Sequence, residues 1–143
     1  MNFRRVLSAV ALALCIAMPV FATEADALIR QGEAKLKEGK IPEALETLQQ
    51  AVQANPRSSL AYTRLGGAQI LSQDYAAGID SFKQAIGLDA NNADAFVGMA
   101  IAYIHGTRYP LARAALEQAK SIDPAKQEDV DELIAWIDKR TGH

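Results

Sequence analysis

Few side chains in this sequence have the type and spacing that catalysis or metal binding would require. The two histidines, His105 and His143, are distant in sequence, and neither has a second ligand at a spacing typical of metal sites. Because three or four converging ligands normally hold a metal ion, no metal site is expected. His105 is predicted to lie near the end of a helix, where the helix dipole favours a cation. An enzyme or metal carrier that uses His105 is the alternative.

The sequence also lacks the usual nucleophiles and phosphate-binding loops. Its single cysteine, Cys15, lies in the apolar N-terminal stretch, so the rest of the chain has no thiol chemistry. The pair Gly66-Gly67 lies within a predicted helix and lacks the Lys and the Ser or Thr that complete a P-loop. No G-x-S-x-G motif is present. We therefore expect no catalysis, no cofactor and no small-molecule substrate, and we predict that the function depends on a binding surface.

The charge of the chain argues against a polyanionic partner. The 143 residues include 15 basic and 17 acidic side chains. Residues 1–22 contain two of the arginines and no acid, which leaves 13 basic and 17 acidic side chains and a net charge of −4 in the remainder. Nucleic-acid binding requires clustered Lys and Arg that displace counterions from phosphate. No nucleic-acid partner is expected.

Residues 1–22 have the order of a secretory signal peptide. Arg4 and Arg5 precede an apolar stretch of helix-forming residues, 6–18, which Pro19 interrupts. The small residue Ala22 then suits cleavage directly after it. The arginine pair is expected to stay in the cytoplasm while the acidic side of the chain crosses the membrane. The body of the protein, 23–143, is thus predicted to be exported, to the periplasm of a Gram-negative bacterium.

Two alternatives to a cleaved signal remain open. About 17 apolar residues approach the lower limit for spanning a bilayer, so an uncleaved segment would tether the protein to the membrane. Alternatively, Leu12-Ala13-Leu14 before Cys15 resembles the first two positions of a lipoprotein signal, which would make this a lipid-anchored envelope assembly protein. Leu14 is larger than the small residue expected there. Cys15 is therefore interpreted as a hydrophobic residue of the signal.

Three consecutive blocks of equal length, 25–58, 59–92 and 93–126, align without a gap. A large apolar residue recurs at positions 4 and 24 of each block, and a small residue recurs at positions 8, 20 and 27. A fixed period of this length is typical of stacked supersecondary units. The small residues are predicted to let paired helices approach closely, and they are, column by column, Gly32, Gly66 and Ala100; Ala44, Gly78 and Ala112; Ala51, Ala85 and Ala119.

The pattern predicts two antiparallel helices in each block. Apolar residues at positions 4, 8 and 12 lie on one face of the first helix by the i, i+4 rule. Pro42 and Pro110 suit the first turn of the second helix, where the missing N–H would be unpaired anyway. Pro56 and Pro124 suit its end, because proline disfavours the α conformation of the preceding residue.

The columns resemble the tetratricopeptide repeat family, which has an aromatic residue at position 4, Leu-Gly at 7 and 8, and Ala at 20 and 27. The second block, with Tyr62, Leu65, Gly66, Phe82 and Ala85, matches most closely, although position 20 is glycine and position 32 is alanine there. The resemblance extends over residues 25–126. It implies an all-α fold, a right-handed α-solenoid of three helix-turn-helix units.

Residues 127–140 are predicted to form a capping helix after the third repeat. Val130, Leu133, Ile134 and Ile137 follow the i, i+3, i+4, i+7 pattern, and acidic residues surround them. Such a helix covers the apolar edge of the last repeat, as a soluble stack requires. Trp136 lies at the edge of the apolar stripe and is expected to be partly buried in the cap. Contact with a partner is its alternative role.

The resemblance implies a concave groove lined by positions 2, 5, 9, 12 and 13 of each repeat. Family members that grip the carboxylate of a chaperone C-terminus use Lys at position 5 and Asn at position 9, where this chain has Ile29 and Glu33. Such a carboxylate clamp is therefore not expected. We instead expect an apolar surface that binds the ligand. The predicted partner-binding residues are Leu60, Thr63, Arg64, Leu71, Asp94, Val97, Ile101 and His105.

The resemblance thus implies a non-catalytic protein–protein interaction module, acting as an adaptor or assembly factor in the cell envelope. Its groove is expected to bind a peptide or helix of a protein partner. The identity of that partner is not encoded in these features, since many functions share this scaffold. The alternative is a homo-oligomeric structural module whose groove is occupied by its own chain.

Overall fold

The computed structural model describes residues 23–142, which fold into seven α-helices and one short 3-10 segment and contain no strand. The predicted all-α solenoid is confirmed. The predicted signal peptide with Cys15, and the C-terminal His143, lie outside the described residues. In chain order the helices are α1 (23–37), α2 (Ile41–Ala54), α3 (Ser59–Leu71), α4 (Tyr75–Leu88), α5 (Ala93–His105), α6 (Tyr109–Ile122) and α7 (Gln127–Thr141), with the 3-10 segment Pro124–Lys126 before α7.

The helices follow the repeat period of the sequence. α3 and α5 begin at Ser59 and Ala93, the first residues of the second and third blocks. α2, α4 and α6 begin at Ile41, Tyr75 and Tyr109, which share one position of successive blocks. Each helix from α2 onward packs against the next one along the chain, and α3 also contacts α5 directly. The first helices of the second and third repeats are therefore neighbours, as a stack of helix pairs requires.

Local sequence signals explain where the helices begin. The side chains of Ser58, Asp74 and Asn92 each accept a hydrogen bond from the backbone N–H three residues later, which caps α3, α4 and α5. Helices α2 and α6 lack a side-chain cap and instead carry Pro42 and Pro110 in their first turn. Proline is favourable there because its missing N–H has no partner in the first turn.

The core consists of three apolar clusters that follow one another along the stack. The first joins α1, α2 and α3, the second surrounds Phe82, and the third joins α5, α6 and α7. Within each repeat, the small residue at position 8 lies against the large residue at position 24: a Cβ on Gly32 would come within 2.5 Å of Leu48 Cγ. In the second repeat a Cβ on Gly66 would come within 2.8 Å of Phe82 Cε1. The small columns thus set the spacing of the two helices.

Helix α7 covers the end of the third repeat and extends one residue beyond the predicted 127–140. It buries Val130, Ile134 and Ile137 against the small residues of α5 and α6. Ion pairs between Arg113 and Asp138, and between Lys120 and Asp131, join it to α6. Among residues 23–142, no helix has the length and apolar character needed to cross a membrane.

Candidate functional site

The first helices of the second and third repeats and helix α7 carry two apolar surface depressions that meet. The α3–α5 depression has a volume of about 490 Å³ and the α5–α7 depression about 710 Å³. Ile101 and His105 line both depressions, so the two form one continuous surface, which we call the apolar strip. Its other residues are Gly67, Ile70, Leu71, Gln73, Tyr75, Phe82 and Gly98 in the first depression and Ile104, Thr107, Tyr109, Glu132, Leu133, Trp136 and Arg140 in the second.

Two large apolar side chains of the apolar strip are exposed. Leu71 at the end of α3 is 56% exposed, and Trp136 on α7 is 42% exposed. A single exposed leucine is common on protein surfaces, but a contiguous apolar patch usually marks a binding site. Because Ile101 lies between these two residues and is itself half-buried, the patch is contiguous.

Aromatic contacts fix the shape of the apolar strip. The His105 ring stacks on Tyr75, with centroids 4.5 Å apart and an interplanar angle of 10°. Trp136 meets Tyr109 edge to face at 6.3 Å, and the Arg140 guanidinium lies 4.7 Å from the Trp136 ring centroid. Such stacking and cation–π contacts contribute on the order of 0.5–1.5 kcal/mol each. The exposed rings are therefore held in place before any partner binds.

The sequence alone did not reveal the aromatic column behind these contacts. Tyr75 and Tyr109 are the first residues of α4 and α6, at position 17 of their repeats, and each contacts a ring on the following first helix or cap. The alignment of the blocks could have revealed this column, because the two tyrosines occupy the same position of successive blocks. The first repeat has Ile41 at this position.

His105 thus belongs to the apolar strip through its stacked ring. Within residues 23–142 the structure contains no group of three or more His, Cys, Asp or Glu side chains arranged to hold a metal ion. The contacts of His105 are those of an aromatic surface residue.

A third depression, of about 760 Å³, lies at the opposite ends of α3 and α5 and is largely polar. Predicted site residues Leu60, Thr63 and Asp94 line it together with Lys126. The Lys126 ammonium donates a hydrogen bond to the Asp94 carboxylate at 2.6 Å, which raises the pKa of Lys126 above its ordinary value. The cation and this carboxylate, which both line the depression, therefore neutralise each other.

Thr63 is buried, and its hydroxyl already has partners. It donates to the Ser59 carbonyl oxygen at 2.8 Å and accepts a hydrogen bond from Asn92 Nδ2 at 2.8 Å. Position 5 of the first repeat behaves similarly, since Ile29 is only 3% exposed. Residues at position 5 thus face the neighbouring repeat more than the groove.

The remaining predicted residues have structural contacts. Arg64 donates through Nε to the Glu33 carboxylate and so links the first two repeats. Val97 is half-buried and packs against the core of the third repeat. The eight predicted partner-binding residues therefore divide into three groups: Leu71, Ile101 and His105 in the apolar strip; Leu60, Thr63 and Asp94 in the polar depression; Arg64 and Val97 in contacts within the fold.

Together, the fold and the apolar strip define a stack of helix pairs with an open, partly aromatic apolar surface. Residues 29–93 and residues 69–137 each match the sequence pattern of the tetratricopeptide repeat family. The chain belongs to the tetratricopeptide repeat family, and its fold is that of a protein–protein interaction module.

A bacterial protein shares sequence with part of the chain. Over 86 residues the chain is 30% identical to the formate-dependent nitrite reductase complex subunit NrfG of Escherichia coli O157:H7. The aligned region covers 57% of this chain and 43% of that protein. The chain thus matches less than half the length of this relative.

Solved structures share the fold at low sequence identity. The first repeat domain of Spaghetti (RPAP3), bound to the HSP90 peptide SRMEEVD, superposes with a TM-score of 0.79 at 18% identity and covers 85% of this chain and 95% of that one. The TPR2B domain of yeast Sti1, in its complex with pHsp70, has the same TM-score at 19% identity and covers 82% of this chain and 98% of that one. At 18% and 19% sequence identity, these superpositions show only that the fold is shared.

Proposed function

We propose that this protein is a non-catalytic adaptor or assembly factor of the bacterial cell envelope, which binds a peptide or helix of a protein partner on the apolar strip. The observation that carries the proposal is the continuity of that surface from Leu71 through Ile101 to Trp136. The α5–α7 depression also contains Tyr109, Trp136 and Arg140, and Trp, Tyr and Arg are the residue types enriched among those that dominate binding energy at protein interfaces.

The ligand is expected to differ from that of the chaperone-binding relatives. The Spaghetti domain binds a peptide that ends in Glu-Glu-Val-Asp. In this chain Ile29, at the position where those domains use lysine, is buried, and Arg64 is paired with Glu33, so neither residue offers a free cation to such a peptide. The exposed surface is apolar instead, which favours an apolar face on the partner.

An accessory role in a larger assembly is supported by the bacterial relative. NrfG is a subunit of an enzyme complex, and 86 residues of this chain align with part of it. Since the match covers less than half of NrfG, no reductase is carried over to this protein. We propose only that it acts, like a subunit, through contact with another protein.

Export is part of the proposal and rests on residues 1–22. When the full-length sequence is expressed in a Gram-negative host, the protein is expected in the periplasmic fraction with a mass that begins at Thr23. An intact mass in the membrane fraction would indicate an uncleaved anchor. A lipid adduct that is lost in Cys15→Ser would indicate a lipoprotein. An intact mass in the cytoplasm would contradict export.

The binding site is tested by capture from envelope extract with matched variants. Leu71→Asp and Ile101→Asp place a charge on the apolar strip, whereas Leu111→Asp places one on α6, where a leucine that lines neither depression is 49% exposed. We expect wild type and Leu111→Asp to retain the same partner and the two strip variants to lose it, all with unchanged helicity by circular dichroism. Equal capture by all four proteins would refute the assignment.

A second copy of this chain is the competing occupant of the same surface. Light scattering during size-exclusion chromatography is expected to show a monomer at every concentration. A dimer that forms with rising concentration and disappears in Leu71→Asp would instead support a homo-oligomeric module with a self-occupied groove.

A further inference from the structure

Helix α7 carries charged side chains of two kinds. Its carboxylates Asp131 and Asp138 are paired with cations of α6 and so fasten the cap to the stack. Glu132 and Arg140 line the α5–α7 depression instead, and within residues 23–142 neither of them forms an ion pair. One acidic and one basic group of the depression are therefore available to a partner.

These two charges lie on either side of the exposed tryptophan. Glu132, Trp136 and Arg140 are spaced four residues apart on α7, so they are neighbours along one side of the helix. At 1.5 Å per residue, the Cα atoms of Glu132 and Arg140 are about 12 Å apart. The Arg140 guanidinium lies 4.7 Å from the centroid of the Trp136 ring. The depression thus has an acidic and a basic end, with an indole ring between them.

The stability of α7 does not explain the acidic end. The helix dipole favours acidic residues in the first turn and basic residues in the last, and α7 has both. Glu132, however, is the sixth residue of α7, beyond the first turn, where the effect of the dipole fades. It also lies four residues after Glu128, and two like charges at this spacing destabilise a helix. The carboxylate of Glu132 is therefore better explained by the depression that it lines.

Charge is confined to this part of the apolar strip. The described residues that line the α3–α5 depression include no Asp, Glu, Lys or Arg, and Leu71 is 56% exposed there. A partner that covers the whole strip therefore meets an apolar surface at one end and the two charges of α7 at the other. Covering Glu132 and Arg140 without opposite charges costs free energy, because each charge loses its water.

We propose that the apolar strip binds a segment of a protein partner in which a bulky apolar residue stands between a basic and an acidic residue. The basic residue pairs with Glu132, the acidic residue pairs with Arg140, and the apolar residue packs beside Trp136. Because the reverse order brings like charges together, this pattern also sets the direction of the segment along α7. This inference rests on the proposed function and specifies the chemistry of the ligand at the same surface.

A second copy of this chain is the alternative occupant. Glu132 and Arg140 are equally spaced about Trp136, so two antiparallel α7 helices would place Glu132 of each copy opposite Arg140 of the other. Such a pair explains the charges of α7 but not the exposure of Leu71 in the α3–α5 depression. A segment of another protein that runs along the strip explains both.

The test selects peptides from a displayed random library without tryptophan, on the full-length gene product and on its charge-swapped variant, Glu132→Arg with Arg140→Glu. Wild type is expected to enrich peptides that carry a base and an acid in one order around a bulky apolar residue. The charge-swapped variant is expected to enrich the opposite order.

Affinities in solution give the size of the effect. The chain contains one tryptophan, Trp136, so its fluorescence reports occupancy of the α5–α7 depression directly. An exposed ion pair contributes roughly two- to fivefold in affinity, and the swap turns two attractions into two repulsions. Each peptide should therefore bind the protein that selected it at least about tenfold more tightly than the other. Added salt should reduce this difference.

A matched charge swap away from the strip is the control. Asp80 and Lys83 are exposed on α4 and line neither depression of the strip. Asp80→Lys with Lys83→Asp keeps the net charge and should enrich the same peptides as wild type, with the same affinity. Circular dichroism is expected to show unchanged helicity in both double variants.

The remaining outcomes separate this inference from the proposed function. Peptides without a common charge order, or peptides that bind the charge-swapped variant as well as wild type, would overturn the charge pattern. If Ile101→Asp still abolished their binding, the proposed function would stand. If no peptide were enriched, or if enriched peptides ignored Ile101→Asp, both would fail. A wild-type dimer that Arg140→Glu dissociates and the double swap restores would identify a second copy as the occupant and overturn the partner segment.

Discussion

At the scale of single residues, the two adjacent glycines of α3 have opposite surroundings. The Phe82 ring lies between Gly66 and Gly98, so it cannot move away from a Cβ on one without approaching the other. Gly67 faces open space. Core packing thus requires glycine at position 66, whereas no packing contact requires it at position 67.

We therefore expect alanine at these two positions to change stability in opposite directions. Gly66→Ala should destabilise the protein by about 1–3 kcal/mol because the new methyl group overpacks the core. Gly67→Ala should stabilise it by up to about 1 kcal/mol through helix propensity. Urea unfolding monitored by circular dichroism measures both free energies. Destabilisation by both variants would show that Gly67 is also a packing residue.

A second residue-scale prediction concerns the turn between the helices of each repeat. Gly39, Gln73 and Thr107, at position 15 of successive repeats, have φ values of 75°, 66° and 56°. A β-branched residue is strained in this left-handed region, and the strain is on the order of 1–2 kcal/mol. Thr107→Gly should therefore raise the free energy of unfolding by about 1 kcal/mol. Part of this gain is offset because glycine gives the unfolded chain more conformational freedom.

The reciprocal substitution serves as the control. Gly39→Thr imposes the same strain on the first repeat and should lower stability by a similar amount in urea unfolding. If Thr107→Gly proved neutral while Gly39→Thr was destabilising, the third turn would be held by contacts that compensate for its strain.

At the scale of elements, α7 has two functions on adjacent residues. Ile137 is buried against α6, whereas Trp136 is exposed on the apolar strip. The same helix thus caps the stack and completes the α5–α7 depression. This arrangement makes the proposed binding surface depend on the stability of the cap, because Trp136 and Arg140 both lie on α7.

We expect alanine substitutions to separate these functions. Ile137→Ala should destabilise the protein by about 2–5 kcal/mol through the cavity it leaves. Trp136→Ala should lose on the order of 1 kcal/mol from its aromatic and cation–π contacts, yet remove most of the partner affinity. Thermal unfolding and the envelope capture assay measure the two effects. A larger stability loss from Trp136→Ala would make that residue part of the core.

The element scale also shows what sequence alone can predict. The repeat period predicted the helix pairs and the turns, and the apolar i, i+3, i+4, i+7 pattern predicted the cap, since each of these depends on local spacing and on turn residues. The exposure of each predicted groove residue did not follow from the period, because burial at a given repeat position depends on how closely one helix packs against the next. Thr63 and Val97 were expected in the groove, but Thr63 is buried and Val97 packs on the core. A single repeat also does not reveal contacts between elements, such as those of Gly98 with Phe82, Tyr75 with His105 and Tyr109 with Trp136.

At the scale of the whole molecule, stability depends on how strongly each repeat is coupled to the next. Asn92 joins the second and third repeats: its Nδ2 donates to Ser59 Oγ at 2.7 Å and to Thr63 Oγ1 at 2.8 Å, while its Oδ1 accepts from the Ala95 N–H and caps α5. In a stack whose repeats contact only their neighbours, the interfaces determine whether the repeats unfold together. Asn92 therefore contributes to cooperativity as well as to a cap.

Asn92→Ser separates the two contributions. Serine caps α3 at the equivalent position 58, so it should preserve the cap of α5 while it removes both bonds to the second repeat. The loss of two hydrogen bonds at a partly buried interface should lower stability by about 1–3 kcal/mol. Because the coupling weakens, the urea transition should also broaden, with a smaller dependence of the unfolding free energy on urea concentration. A lower midpoint with an unchanged slope would mean that the apolar contacts between α4 and α5 alone suffice to make the repeats unfold as one unit.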